Sequence, residues 1–389
     1  VTAETTEQLR QLLRFRTVNP PGDEAEIAAY LAGVLLGAGI EVEIIPTAPS
    51  RAAVFARIRG DGSAPPVLLL AHTDTVGVEA EQWTVDPFAG EVRDGYVYGR
   101  GAIDDKGMLA ANLVTMLLLH RAIASGELTL ARDVIFLATP DEETGGTEGM
   151  RWLAQRRPDV LQAEYALNEG GRVRIGADGS RTLLIQVAEK SSHIVTITAR
   201  GTSGHAGVPR ADNAILRLGS ALAAIAEYAR DPAHGVSPTI VRGGTKDNVI
   251  PDHASVLLNV RTTPTQSLDE IVTELAARIT EPGVEIEIVA RGESAPASPE
   301  SSPMFEAIAS AARDIDPDIV VQPYLSAGVT DSARLRQLGV QAYGVLPFPL
   351  TPDDESRMHG VDERVPVEAL GFGTRLVYET VRRIAARSH

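Results

Sequence analysis

The stretch Val67-Leu-Leu-Leu-Ala-His-Thr-Asp74 decides the fold. An unbroken apolar run of this length, ending abruptly in polar residues, reads as a strand buried on both faces. Such strands lie inside largely parallel sheets that helices cover on either side. Working outward, similar short runs stand at 40–45, 53–58, 133–138 and 165–168, and they alternate with helical periodicity over 4–15, up to Leu36, and from Lys106 to about His120. The expectation is an α/β fold with a mostly parallel sheet. From Ser192 the texture changes to the order β-α-β-β-α-β, running to about Ala290, which is the ferredoxin-like split motif. Helix–strand alternation resumes after the Ser/Pro/Ala-rich stretch 292–303 and ends in a helix near 368–386. We therefore expect a discontinuous first domain, 1–190 and 298–389, holding an inserted α+β domain at 191–297.

Composition narrows the chemistry. At 389 residues the chain has room for about two domains at roughly 150 residues each. With 36 Lys+Arg against 52 Asp+Glu, the net charge of −16 repels phosphate backbones and anionic lipid headgroups, so no nucleic acid and no membrane are expected as partners. There is no Cys, which removes disulfides, thiolate ligands and a cysteine nucleophile, so any metal must be held by His and carboxylates. The first residues carry no basic-then-apolar signal pattern, and a cytoplasmic location is the expectation.

Chemistry-bearing residues cluster at strand ends. His72 and Asp74 follow the 67–71 run, and in extended backbone residues two apart share a side, so Asp74 is placed to accept the second ring N–H of His72. In open α/β sheets this end of a strand is where ligands bind. Gly99-Arg-Gly-Ala-Ile-Asp-Asp-Lys-Gly107 leads into a helix, but it matches neither the Walker nor the Rossmann spacing. Asp104 and Asp105 there suit either a helix cap or a carboxylate bridging two cations. Pro140-Asp-Glu-Glu-Thr-Gly-Gly146 places Glu142 and Glu143 side by side, which is costly in a buried site unless a cation neutralises them; exposed acids before a helix are the plain alternative. Asn168-Glu169-Gly-Gly171 and Met358-His359-Gly360 repeat the theme. Two His, a bridging-capable Asp and two Glu form a hard N/O donor set suited to a pair of zinc ions. His120, His193, His234, His253 and His389 fit no motif.

In their order along the chain, these motifs resemble the zinc-dependent aminoacylase, carboxypeptidase and succinyl-diaminopimelate desuccinylase metallohydrolases, the family of acetylornithine deacetylase and carboxypeptidase G. The resemblance also takes in Gly201-Thr-Ser-Gly-His-Ala-Gly207 and Asp247-Asn-Val-Ile-Pro251, and so covers essentially the whole chain. It implies two zinc ions, with cobalt or manganese as substitutes. His72 and Glu169 would hold one ion and Glu143 and His359 the other, with Asp104 bridging, Asp74 supporting His72, and Glu142 acting as general base and acid. It implies a cis peptide after Asp104 and a lid and dimerisation role for the inserted domain, hence a possible homodimer. His205 would reach the scissile carbonyl, in several relatives from the neighbouring subunit. Asn248 and Arg261 would hold a substrate carboxylate, and Gly328 would lie in a substrate-binding loop whose wording departs from the family's at Val329. The implied substrates are N-acyl amino acids or short peptides, and Glu at position 169 leans toward the deacylase and carboxypeptidase branches rather than the dipeptidases and aminopeptidases.

Overall fold

The computed structural model describes residues 1–387. The chain forms two units: Val1–Ala188 with Pro296–Ser326 and the chain from Thr330 onward, and Glu189–Ala295 with Ala327–Val329. The observed insertion thus starts and ends two residues earlier than 191–297, and the loop around Gly328 groups with the inserted unit although its flanks do not.

In the first unit the main sheet runs, edge to edge, Glu41–Ala48, Arg51–Ile58, Val134–Thr139, Val67–His72, Tyr165–Asn168, Gln341–Gly344, Arg181–Glu189, Arg172–Ile175 and Pro349–Leu350. The four strands from Val134–Thr139 to Gln341–Gly344 are parallel, whereas the strands beyond them on either side pair antiparallel, except the last, Pro349–Leu350, which runs parallel to Arg172–Ile175. The hairpin Arg172–Ile175/Arg181–Glu189 has no counterpart in the sequence reading, although Asp178-Gly179 is an ordinary hairpin turn signal. The apolar run behaves as a doubly covered strand. Val67, Leu69 and Ala71 enter a core with Leu9, Ile27, Leu109 and Leu370 from four helices, while Leu68 and Leu70 enter a second core with Leu153 and Leu335. Each of those fully buried leucines contributes about 1.5–3 kcal/mol. The helix Lys106–Ala124 is long and apolar enough to cross a membrane by length and composition alone. Residues 106–116 are all buried, however, so its all-round apolarity matches enclosure in this core.

Strand register positions the chemistry. Val67–His72 pairs with Val134–Thr139 so that His72 stands opposite Thr139, and Tyr165–Asn168 runs parallel beside them. The residues that end or follow these strands, His72 to Asp74, Asp141 to Glu143 and Glu169, therefore emerge together at the carboxyl end of the parallel strands.

The inserted unit has a four-stranded antiparallel sheet in the order Val236–Gly243, His253–Thr262, Ser191–Arg200, Val284–Ala290. With the helices Ala214–Tyr228 and Leu268–Arg278 this is the ferredoxin-like arrangement. Strict alternation along His253–Thr262 sends Ala254, Val256, Leu258 and Val260 into a separate core with Leu218, Ile225 and Leu275.

Candidate metal centre

His72 ends its strand fully enclosed. Its Nδ1 lies 3.0 Å from the main-chain oxygen of Asp74, and its Nε2 lies 2.9 Å from Asp104 Oδ1. The carbonyl can only accept, so Nδ1 carries the proton and Nε2 is the nitrogen turned into the site. The expectation that the Asp74 carboxylate accepts this ring proton needs correcting: Oδ1 stands 3.4 Å from Nδ1 and the carbonyl takes the bond. That carboxylate is held by other donors. Oδ1 accepts from the Glu142 N–H (3.1 Å), and Oδ2 accepts from Asn19 Nδ2 (2.8 Å) and the Glu143 N–H (3.1 Å). Asp74 therefore fixes the turn bearing both glutamates.

Asp104 sits on a cis peptide with Asp105, and its two oxygens face two histidines: Oδ1 toward His72, and Oδ2 3.1 Å from His359 Nε2. His359 lies in the left-handed region at φ 61° and also approaches Glu143 Oε1 at 3.4 Å. Asp105 occupies the N-cap position of the Lys106–Ala124 helix without making a capping bond; its Oδ2 instead accepts the His72 N–H at 3.3 Å. Packing explains the glycines of this turn. A Cβ at Gly107 would lie 2.4 Å from the Ala102 oxygen and 2.8 Å from the Phe348 ring.

Ligand atoms of His72, Glu142 and Glu169 lie within 4.8 Å of one another, and so do those of His72, Asp104 and Glu143. Acid outnumbers base here, and the electrostatics follow. Burial opposes charge on His72, but the Asp104 and Asp74 carboxylates outweigh it and hold its pKa well above the usual imidazole value. The Asp104 and Glu143 carboxylates beside its ring push His359 up to about 10. Burial raises Asp104, yet the two histidines hold it below the usual carboxylate range. Glu142 is pushed well up by burial, reinforced by Glu169, Asp331 and Asp104.

The donors fit divalent cations. Imidazole nitrogens and carboxylates converge, and the buried Glu143 Oε1 accepts no hydrogen bond, which leaves a lone-pair site that a cation would fill.

Residues outside the sequence-read set support the turn. Arg51 donates to Asp141 Oδ1 (2.7 Å) and Asn19 Oδ1 (2.8 Å), and Asp141 holds a left-handed φ of 69° immediately before Glu142. Glu363, fully buried, accepts from Arg100 and from backbone N–H groups leading to Asp104.

His205, Asn248, Arg261 and Gly328 all belong to the inserted unit, and the His/carboxylate cluster forms without them. His205 lies exposed on a two-residue strand paired with Val249–Ile250, its Nδ1 accepting from the Gly207 N–H at 3.0 Å. Asn248 is adjacent, its carbonyl accepting from the Ala206 N–H. Arg261 donates to Asn259 Oδ1 (3.0 Å) and to the Ala327 oxygen (3.3 Å), next to Gly328. His389 lies outside the described residues.

Comparison with known proteins agrees with this geometry. The model of Peptidase family M20/M25/M40 matches residues 68–383. Human aminoacylase-1 is 28% identical over 396 residues, covering 95% of this chain and 93% of its own length. Human N-fatty-acyl-amino acid synthase/hydrolase PM20D1 is 26% identical over 380 residues, covering 83% of this chain and 74% of its own. Among solved structures, the Bacillus subtilis YXEP protein, described as a dinuclear metal binding peptidase, superposes with a TM-score of 0.73 at 20% identity over 98% of each chain. The Sulfolobus solfataricus metallo-carboxypeptidase Sso-CP2 gives 0.72 at 16% identity, covering 97% of this chain and 98% of its own.

Proposed function

The chain belongs to the M20/M25/M40 peptidase family of metallohydrolases, and from that premise we propose that it cleaves the amide bond of N-acyl amino acids, or the C-terminal peptide bond of short peptides, with two divalent cations. The observation that carries this reading is Asp104, which turns one oxygen to His72 and the other to His359, with Glu142 packed beside His72. His72 and Glu169 would hold one cation, Glu143 and His359 the other, and Asp104 both. Zinc suits the N/O set, with cobalt or manganese as substitutes. Bound there, the cations would acidify a water and polarise the substrate carbonyl.

The chain's own groups do the rest. Glu142, whose pKa burial raises, takes a proton from the attacking water and returns it to the departing nitrogen. Asp74 holds Glu142 in place through its backbone N–H. By the family resemblance, His205 would donate to the developing oxyanion, Asn248 and Arg261 would hold the carboxylate of the amino-acid half, and the Gly328 loop would line the substrate. The products are a carboxylic acid and a free amino acid. Support for the acyl-amino-acid class comes from aminoacylase-1, similar over nearly its whole length, and from Glu rather than Asp at position 169. The inserted unit leaves the strand Val236–Gly243 at a sheet edge with Ile240 and Val241 exposed, and Leu216 is exposed on the helix Ala214–Tyr228; we take the edge strand as a homodimer surface.

The test is a hydrolysis screen of N-acetyl and long-chain N-acyl amino acids against free-amine dipeptides, with metal analysis of the same sample. N-acyl substrates should be cleaved and chelation should abolish cleavage. Cleavage of free-amine peptides alone would move the protein to the dipeptidase and aminopeptidase side, and no hydrolysis by fully metal-loaded protein would leave a binding relative.

A further inference from the structure

The two halves of the proposed centre stand on unequal footings. His72 ends and Glu169 directly follows a strand inside the sheet, and the His72 ring is pinned by the Asp74 carbonyl. His359 stands on a loop, with a half-exposed side chain. What ties that loop to Asp104 is a buried ion pair between residues 263 positions apart. Glu363 Oε2 accepts from Arg100 Nη1 (2.5 Å) and the Gly101 N–H (3.1 Å), and its Oε1 accepts from the N–H groups of Ile103 (2.8 Å) and Asp104 itself (3.2 Å). The other arm of the guanidinium, Nη2, donates to the carbonyls of His359 (3.1 Å) and Gly360 (2.9 Å). Both side chains are sealed from solvent, and the Arg100 guanidinium stacks 5.4 Å from the Trp83 ring centre.

We propose that Arg100 and Glu363 are positioning residues that set the spacing between Asp104 and His359, and so govern retention of the cation at the Asp104/Glu143/His359 corner while leaving the His72/Glu169 corner largely untouched. The planar fork of Arg100 is what makes this possible: one side engages the carboxylate and the other two carbonyls, which the single ammonium of a lysine cannot reproduce. Groups that orient metal ligands in this way typically change metal affinity 10–100-fold when altered. The inference rests on the two-cation reading above.

The test uses wild-type protein, Arg100→Lys and Glu363→Gln, each stripped of metal and titrated with zinc against a chromophoric chelator, with visible spectra of the cobalt-loaded forms. Wild type should take two ions per chain. Arg100→Lys should keep one ion at wild-type affinity and bind the second roughly 10–100-fold more weakly, and its cobalt spectrum should lose the component that fills second. Glu363→Gln should behave alike; should its uncompensated buried guanidinium prevent folding, Arg100→Lys carries the result. Two ions at unchanged affinity in Arg100→Lys would overturn the proposal, and so would an equal fall at both sites, which marks general loosening. Failure of wild type to bind two ions would instead overturn the two-cation reading itself.

Discussion

Replacing Asp74 by Asn exchanges one carboxylate oxygen for an NH2 group and leaves the shape intact. In the structure Oδ1 faces the Glu142 N–H, and Oδ2 faces both Asn19 Nδ2 and the Glu143 N–H. Whichever way the amide turns, its NH2 meets a donor, so at least one charge-assisted bond is lost and a buried donor is left unmet. Hydrogen bonds to charged groups contribute about 1.5–3 kcal/mol, and an unmet buried donor costs about 1–3 kcal/mol. We expect a total loss of about 2.5–6 kcal/mol from these two effects, shared between stability and the placement of Glu142. The pH dependence adds a signature. Burial pushes Asp74 up, but the neighbouring His72 ring, with bonds from Asn19 and the Glu143 N–H, brings its pKa below the usual aspartate value. A carboxylate depressed in the folded state stabilises above its unfolded pKa, and that contribution is lost as pH falls through the folded one. Urea denaturation across the acid range, with initial rates at saturating metal, reads both effects. Asp74→Asn should be destabilised at neutral pH, should show a weaker acid limb, and should turn over roughly a hundredfold more slowly. A variant within about 0.5 kcal/mol of wild type and equally active would refute the reasoning.

Three further outcomes are expected. Glu142→Gln should keep both metals and lose about 10²–10⁴-fold in kcat, measured with metal content on the same sample; full activity would remove Glu142 from proton transfer. Glu24 is fully buried and shares the Arg51 guanidinium with Asp141 and Glu148. Burial and the nearby Asp74 push its pKa to about 7, so the stabilisation from its retained proton is full below its unfolded pKa and is lost as pH rises through about 7. Glu24→Gln should therefore be more stable than wild type at pH 8 by roughly 2–3 kcal/mol, and thermal melts at pH 5 and pH 8 that differ from wild type by the same amount would contradict this. Val241→Lys on the exposed edge strand should convert a dimer to monomer in light scattering, and an unchanged mass would dismiss that surface.

How much the sequence reveals depends on whether the information is local. Val67 to Ala71 betrays its burial because a strand covered on both faces has no polar position to spare, and the helix Lys106–Ala124 is legible for the same reason. The ligand candidates are legible because they follow apolar runs or glycines within a few residues. Arg51, Asn19 and Glu363 carry no such mark. Their partners stand 90, 55 and 260 residues away in the chain, and nothing in their neighbourhoods distinguishes a buried organiser from an ordinary surface charge. The Asp74 carboxylate shows the same limit. Spacing placed it beside His72, but only the converging N–H groups of Glu142 and Glu143 reveal that its oxygens are otherwise engaged.

The most direct test is anomalous diffraction at the zinc edge from crystals of zinc-loaded protein. Two peaks should flank Asp104, one contacting His72 and Glu169 and the other contacting Glu143 and His359. A lone peak away from Asp104, or hydrolysis that persists in chelated protein free of metal, would contradict the two-cation account.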